Sequence, residues 1–179
     1  MKTVFRSLAL LLAFALCAFA EEGPEKFELF ADSLTGQVVK MDFSKNLSGI
    51  SDPGLLFSHF SQKPLLIYYF SPKCAHCQRH FPAFQQVAKE FEAAGVSSIG
   101  ISLGGYIKKN EVRAFIDLVG ATIPVFQDSD RAFGNTYGTG YVPVMFLVLP
   151  DGTFYRYESA KDASFNHIRA TLTKLTTKE

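Results

Sequence analysis

The spacing of hydrophobic residues changes along the chain, and the changes separate predicted strands from predicted helices. Residues 64–70 form an unbroken apolar run, which is typical of a strand buried on both faces, and residues 96–103 form a second run. Between and after these runs, apolar residues recur at helical spacing over 81–91 and again over 112–119. The middle of the chain therefore predicts alternating strands and helices.

Shorter patterns complete this prediction: a hairpin on each side of the alternation, a short strand with a helical turn, and a last amphipathic helix. The hairpins fall at 27–41 and 144–157, the short strand with its helical turn at 123–133, and the last helix at 165–175. Residues 42–62 show no period and predict a loop with one short helix at 55–60. The order indicates an α/β protein, with a mixed central β-sheet flanked by helices on both faces.

The first twenty residues have the pattern of an export signal. Lys2 and Arg6 precede an apolar run at residues 8–15, and small residues stand before and at Ala20. The run is shorter than the roughly 20 apolar residues that span a bilayer. We therefore predict a signal peptide at 1–20 and a single domain at 21–179, in a periplasmic or secreted protein.

Removal of this segment leaves an almost neutral chain. Without Lys2 and Arg6, the 18 basic residues become 16, against 17 acidic residues. Such a balance provides no positive field for nucleic acid, so no nucleic-acid partner is expected. Cys17 is also removed, and the remaining cysteines are Cys74 and Cys77.

The motif Cys74-Ala75-His76-Cys77 stands where a buried strand turns into a helix. The first turn of a helix has unpaired N–H groups and the positive end of the helix dipole, and both stabilise a thiolate. Cys74 is therefore the predicted nucleophile, and Cys77, one turn further on, is the predicted resolving thiol. A purely structural disulfide is the alternative, although closing so short a loop contributes only about 2 kcal/mol.

These residues resemble the thioredoxin superfamily. Pro82 lies where thioredoxins kink their first helix, and Val142-Pro143 lies where the family has the cis-proline that faces the disulfide. The resemblance implies a catalytic role for Pro143 and a substrate-binding role for Val142. The N-terminal hairpin, one extra βα insertion and the 66-position step from Cys77 to Pro143 are most similar to the exported TlpA/ResA-type proteins. A thioredoxin fold is therefore expected.

The residues around the cysteines depart from the TlpA-type pattern and look more like those of the DsbA oxidase. Lys73, His76 and Val144 stand where TlpA-type proteins carry Trp, Pro and Thr. As potential cations beside Cys74, His76 and Lys73 favour the thiolate and therefore a higher reduction potential. This favours an oxidising or intermediate couple and leaves the direction of electron flow open.

A second histidine follows on the same helix. His80 stands where ResA-type proteins carry a functional Glu, and it lies three residues after Cys77. It is a candidate proton relay for Cys77, or it packs under the helix without a chemical role. Sequence alone leaves both interpretations open.

The predicted function is that of a thiol–disulfide oxidoreductase without a cofactor or bound metal. Its partners would be exported proteins with thiols or disulfides, and a membrane or soluble protein that recycles the cysteine pair. One alternative is a metal-binding module, in which both thiolates and His76 or His80 hold zinc or copper without an evident fourth ligand. Another is a thiol peroxidase, although Ser71 stands alone and Ile67 occupies the place of an expected Pro.

Overall fold

The structure is a computed structural model that describes residues 26–177. In these residues the chain forms one mixed sheet, four α-helices and a 3-10 helix at Phe57–Phe60. The strands are β1 (Ser48–Gly49), β2 (Leu65–Phe70), β3 (Ser97–Leu103), β4 (Val125–Asp128), β5 (Val144–Val148) and β6 (Phe154–Tyr157). The helices are α1 (Ala75–Glu92), α2 (Lys109–Val119), α3 (Ala132–Tyr137) and α4 (Asp162–Thr176). The predicted signal peptide, 1–20, lies outside the described residues.

The strands lie in the order β1-β4-β3-β2-β5-β6. β2 pairs parallel with β3 on one side and antiparallel with β5 on the other. All six residues of β2 are buried, because the strand is central and both faces of the sheet are covered. The carboxyl end of this strand leads directly to Cys74.

Each face of the sheet has its own hydrophobic core. The core under α1, α2 and α4 includes Phe81, Phe84, Phe115, Ile168 and Leu172. The core on the opposite face includes Met41, Leu47, Phe57, Phe133 and Tyr137, from α3, the 3-10 helix and the chain before β2. The predicted fold class, with helices on both faces of a mixed sheet, is confirmed.

The N-terminal hairpin is present as isolated bridges instead of two full strands. Ala31 pairs antiparallel with Val38, and Leu29 pairs with Tyr155 of β6. The hairpin therefore extends the pairing beyond β6 and covers that edge of the sheet.

A strand that the sequence did not predict lies in the segment 42–62. Ser48 of β1 pairs antiparallel with Gln127 of β4 and forms the other edge of the sheet. Two residues are too few to show a hydrophobic period, which explains why the pattern indicated only a loop. The short helix predicted at 55–60 is present as the 3-10 helix.

The strand and helical turn predicted over 123–133 are observed as β4, at Val125–Asp128, and, a few residues further on, as α3, at Ala132–Tyr137. The carboxylate of Asp128 is fully buried and accepts the backbone N–H groups of Phe133 and Gly134 at 3.0 and 2.8 Å. Asp128 therefore ends β4 and also satisfies the free N–H groups at the start of α3.

None of the helices within residues 26–177 is both long enough and apolar enough to cross a bilayer.

Candidate active site

Cys74 is the N-cap residue of α1. Its backbone is extended, with φ −89° and ψ 112°, and its N–H donates to the carbonyl of Ser71 at 3.1 Å. The Cys74 Sγ accepts the backbone N–H of Cys77 at 3.2 Å, so the sulfur takes the place that a Ser or Asp oxygen has in an ordinary helix cap. A negative charge on this sulfur would be stabilised by the N–H and by the helix dipole.

Cys77 lies one turn further into the helix and is fully buried, whereas Cys74 is partly exposed. Both cysteines are free thiols in this structure. Burial, with a further contribution from the hydrogen bond to Cys74, raises the pKa of Cys77 well above its ordinary value. Cys77 therefore remains protonated at neutral pH, and only Cys74 presents its sulfur to another protein.

The peptide bond between Val142 and Pro143 is cis, as the family resemblance implied. The loop places the carbonyl oxygen of Val142 at 3.7 Å from the Cys74 Sγ. A protonated Cys74 donates to this carbonyl, while a Cys74 thiolate retains the N–H of Cys77 as its donor. The structure therefore brings together the cysteine pair and the Val142-Pro143 loop that the sequence assigned to one site.

The two histidines lie on the same face of α1, with parallel rings whose centroids are 6.4 Å apart. His76 is exposed and His80 is half-buried. Both line a cavity of about 580 Å³ whose other walls include Val142, Pro143 and Phe165. Neither histidine is hydrogen-bonded to a cysteine sulfur among the described residues, so their predicted roles in tuning and proton relay remain predictions.

The positive charge of Lys73 is paired with a carboxylate and is not that of a free cation. Its Nζ pairs with Glu111 Oε1 of α2 at 2.9 Å and lies 5.5 Å from the centre of the Tyr106 ring. The Glu111 carboxylate accepts hydrogen bonds from the backbone N–H of Lys108 and, with a smaller effect, from the Lys73 side chain. These bonds hold the pKa of the Glu111 carboxyl below its usual value. Glu111 therefore stays ionised and compensates a positive charge next to Cys74.

Tyr68, which was not predicted from the sequence, lies directly beneath the cysteines. Its hydroxyl donates to the carbonyl of Cys77 at 3.1 Å, and the residue is fully buried. The available signal was a hydroxyl inside the unbroken apolar run of β2, because a buried hydroxyl requires a hydrogen-bond partner.

Over residues 26–177, no three His, Cys, Asp or Glu side chains lie close enough together to hold a metal ion. The side-chain arrangement thus provides no support for the metal-binding alternative, whose ligands would be the two thiolates and one histidine.

Two relatives carry the name thiol-disulfide oxidoreductase ResA. The protein of Bacillus subtilis is 27% identical over 95 residues, which are 53% of this chain and 52% of that protein, so the match spans about half of each. The protein of Geobacillus thermodenitrificans is 24% identical over 152 residues, covering 85% of this chain and 82% of the relative. The predicted enzyme class agrees with the names of both relatives.

Among solved structures, a thiol:disulfide interchange protein DsbE from Chlorobium tepidum superposes with a TM-score of 0.64. It is 17% identical, and the superposition covers 78% of this chain and 99% of that one. This likeness confirms the thioredoxin-like fold. The model of the AhpC/TSA family matches residues 46–156, most of the chain, and the chain therefore belongs to the AhpC/TSA family.

Proposed function

We propose that this protein is an exported thiol–disulfide oxidoreductase that exchanges disulfides with other exported proteins through Cys74 and Cys77. One observation carries the proposal: a partly exposed sulfur caps a helix and accepts the N–H of a second, buried cysteine at 3.2 Å. This arrangement exposes one nucleophilic sulfur to a partner protein, while the second thiol stays buried until a mixed disulfide has formed.

In the reducing direction, the Cys74 thiolate attacks one sulfur of a substrate disulfide. A mixed disulfide forms, and the other substrate sulfur leaves as a thiolate. Cys77 then loses its proton and attacks the Cys74 sulfur, which forms the Cys74–Cys77 disulfide and releases the second substrate thiolate. Two electrons pass from the pair to the substrate, and the same steps in reverse oxidise a substrate dithiol.

The raised pKa of Cys77 gives these steps an order. A neutral thiol is a poor nucleophile, so Cys77 does not compete with Cys74 for the incoming disulfide. Once the mixed disulfide has formed, Cys77 needs a proton acceptor, and the departing substrate thiolate is one that the reaction itself supplies. The order of attack thus follows from burial of the second sulfur.

For the reduction potential, we propose a value intermediate between those of thioredoxin and DsbA, about −270 and −120 mV. His76 stands beside Cys74 as a potential cation, whereas the charge of Lys73 is compensated by Glu111 at 2.9 Å. Compensation of one of the two expected cations favours the intermediate over the strongly oxidising couple.

The substrate edge in this proposal is the Val142-Pro143 loop, with Val142 contacting the substrate and Pro143 facing the reacting sulfurs. The proposed location is a periplasmic or secreted one, supported by the signal pattern at 1–20. The pair would be recycled by a membrane or soluble redox partner of the same compartment.

The proposal is tested by exchange between the reduced protein and a model protein disulfide. We expect wild-type exchange, loss of all turnover in Cys74→Ser, and a single stalled mixed disulfide in Cys77→Ser. Exchange at the wild-type rate by Cys74→Ser would contradict the assignment. Cys17 is replaced by Ser in every variant, so that the full-length chain has no third thiol.

A thiol peroxidase is the second candidate, and membership of the AhpC/TSA family is the observation that favours it. Cys74 would then be oxidised by peroxide to a sulfenic acid with release of water or alcohol, and Cys77 would condense with it to the disulfide and a second water. Stopped-flow mixing with hydrogen peroxide distinguishes the candidates. Oxidation of Cys74 faster than that of free cysteine by orders of magnitude would favour the peroxidase.

A further inference from the structure

A cavity of about 810 Å³ lies at the end of the sheet opposite to Cys74. The cysteine follows the carboxyl end of β2, whereas this cavity is bordered by residues at or before the amino ends of β2, β3 and β4 and by the last two turns of α1. Because these three strands are parallel, their amino ends lie together, away from the cysteines. The cavity is therefore distinct from the redox site.

The walls of the cavity combine apolar and polar side chains. The apolar ones are Phe60, Ala88, Val96, Ile123 and Pro124, and the uncharged polar ones are Gln85, Ser97, Ser98 and Thr122. The volume falls within the range of about 300–1,000 Å³ that is usual for small-molecule sites in proteins. An apolar body of moderate size would find a matching surface here.

The rim has an excess of positive charge. Lys63 and Lys89 line the cavity together with one acidic residue, Glu92. Within residues 26–177 the ion pairs are Lys73–Glu111, Arg156–Glu158 and Arg169–Glu90, so neither lysine of the rim is neutralised by a salt bridge there. Two lysine ammonium groups beside an apolar surface favour a ligand with a negative charge at one end.

Ser98, which also lines the cavity, has an unsatisfied hydroxyl. Its Oγ is buried and has no hydrogen-bond partner, the one such side-chain atom among the described residues. A buried hydroxyl without a partner costs free energy, so a polar group that could bond to it would be favoured.

We propose that this cavity binds a small anionic amphiphile. Its apolar body would lie against Val96, Ile123 and Pro124, and its single negative headgroup would lie between Lys63 and Lys89. The Ser98 hydroxyl would turn towards the cavity and donate to the headgroup. The site makes no use of the cysteines, so the proposal is independent of the redox function.

The first test compares two fluorescent probes that differ by one sulfonate group: 8-anilinonaphthalene-1-sulfonate and its neutral analogue N-phenyl-1-naphthylamine. We expect saturable binding of the sulfonate, at least tenfold tighter than that of the neutral probe. In Lys63→Gln/Lys89→Gln, the sulfonate should bind about tenfold more weakly, the size of a lost charged hydrogen bond, while the neutral probe is unaffected. Lys109→Gln/Lys174→Gln, which removes two exposed lysines outside the cavity, should bind both probes like the wild type.

The second test asks whether a carboxylate can take the place of the sulfonate. Dodecanoate below its micellar concentration should displace the probe, dodecylamine should not, and Cys74→Ser should give the same titration as the wild type. Ser98→Ala should weaken the sulfonate about tenfold, as expected for the loss of one hydrogen bond to a charged group. Equal affinity for the charged and neutral probes, or unchanged sulfonate binding in the Lys63/Lys89 variant, would overturn the proposal.

Discussion

The hydroxyl of Tyr68 donates a 3.1 Å hydrogen bond to the main-chain carbonyl of Cys77. Tyr68 belongs to β2 and Cys77 to the first turn of α1, so this bond joins the helix that carries both cysteines to the strand beneath it. Burial raises the pKa of the Tyr68 hydroxyl, and negative charge on Cys77 and Cys74 raises it further. Tyr68 therefore remains a neutral donor while the sulfurs change their charge.

Replacing Tyr68 by Phe removes this bond and little else. We expect the free energy of unfolding to fall by about 1 kcal/mol, the usual contribution of one hydrogen bond, as measured by urea denaturation. Closure of the Cys74–Cys77 disulfide should become slower, because the first turn of α1 is less firmly held. Stopped-flow resolution of a preformed mixed disulfide measures that rate.

The matched control is Tyr157→Phe, another buried tyrosine, whose hydroxyl lies 2.8 Å from His167 Nδ1, away from the cysteines. It should lose comparable stability and close the disulfide at the wild-type rate. Equal closure rates in both variants would show that the Tyr68 bond is only structural.

The ion pair between Lys73 and Glu111 predicts opposite shifts of the reduction potential. Glu111→Gln leaves the Lys73 charge uncompensated next to Cys74, which favours the thiolate and raises the potential. Lys73→Met leaves the Glu111 charge and lowers it. Each shift should be about 10–20 mV, because exposed ion pairs interact weakly, and should shrink at high salt.

Equilibration with glutathione buffers measures these potentials. Glu90→Gln, which breaks the 2.7 Å pair with Arg169 on α4, is the control and should leave the potential unchanged. Shifts of the same sign in the Glu111 and Lys73 variants would contradict the electrostatic explanation.

Gly134 is predicted to be intolerant of a side chain. A Cβ at this position would overlap the hydroxyl of Tyr69, which itself donates to buried Asp128 at 3.0 Å. We expect Gly134→Ala to lower the free energy of unfolding by about 2–4 kcal/mol, since overlap in a packed interior displaces several groups. Gly54→Ala is the control, because there a Cβ meets only ordinary contacts, and a similar loss in both variants would contradict the packing argument.

His167 predicts a loss of stability in acid. Burial lowers the pKa of His167 from the ordinary 6.5, and the nearby positive charge of Lys174 lowers it further. The unfolded chain therefore binds this proton more readily than the folded one, so stability rises with pH through this range and falls as pH drops below about 6.5.

Urea denaturation at pH 7.5 and 5.5 measures this effect. His167→Gln should lose less stability between the two values than the wild type, whereas Asn166→Gln, an exposed and non-titrating neighbour on α4, should follow the wild type. An identical pH dependence in His167→Gln and the wild type would assign the acid sensitivity to other groups.

The sequence predicted the fold well where the hydrophobic pattern is long. Strand β2 lies in the predicted apolar run, helix α1 buries the residues at helical spacing, and α2 ends at Gly120 in a left-handed conformation. It failed at β1, because a two-residue edge strand exists only through its pairing with Gln127. Such an element has no local signal.

The residues of the candidate site also fall into those that the sequence predicted and those that it did not. The cysteine pair and the cis bond before Pro143 follow from local motifs, and the structure brings them together. The pairing of Lys73 with Glu111, 38 positions later, is a tertiary contact that no local sequence pattern predicts. Tyr68 was missed for the same reason, because its partner is a main-chain carbonyl of another element.

In the proposed exchange, the sulfur that caps α1 attacks first and the buried sulfur second. Mixing reduced Cys77→Ser, in a Cys17→Ser background, with a model protein disulfide and locating the trapped adduct by peptide mass spectrometry tests this order. We expect a stable mixed disulfide at Cys74, and no adduct at Cys77 in the reciprocal Cys74→Ser variant. An adduct on Cys77 with Cys74 absent, or none on Cys74, would contradict it.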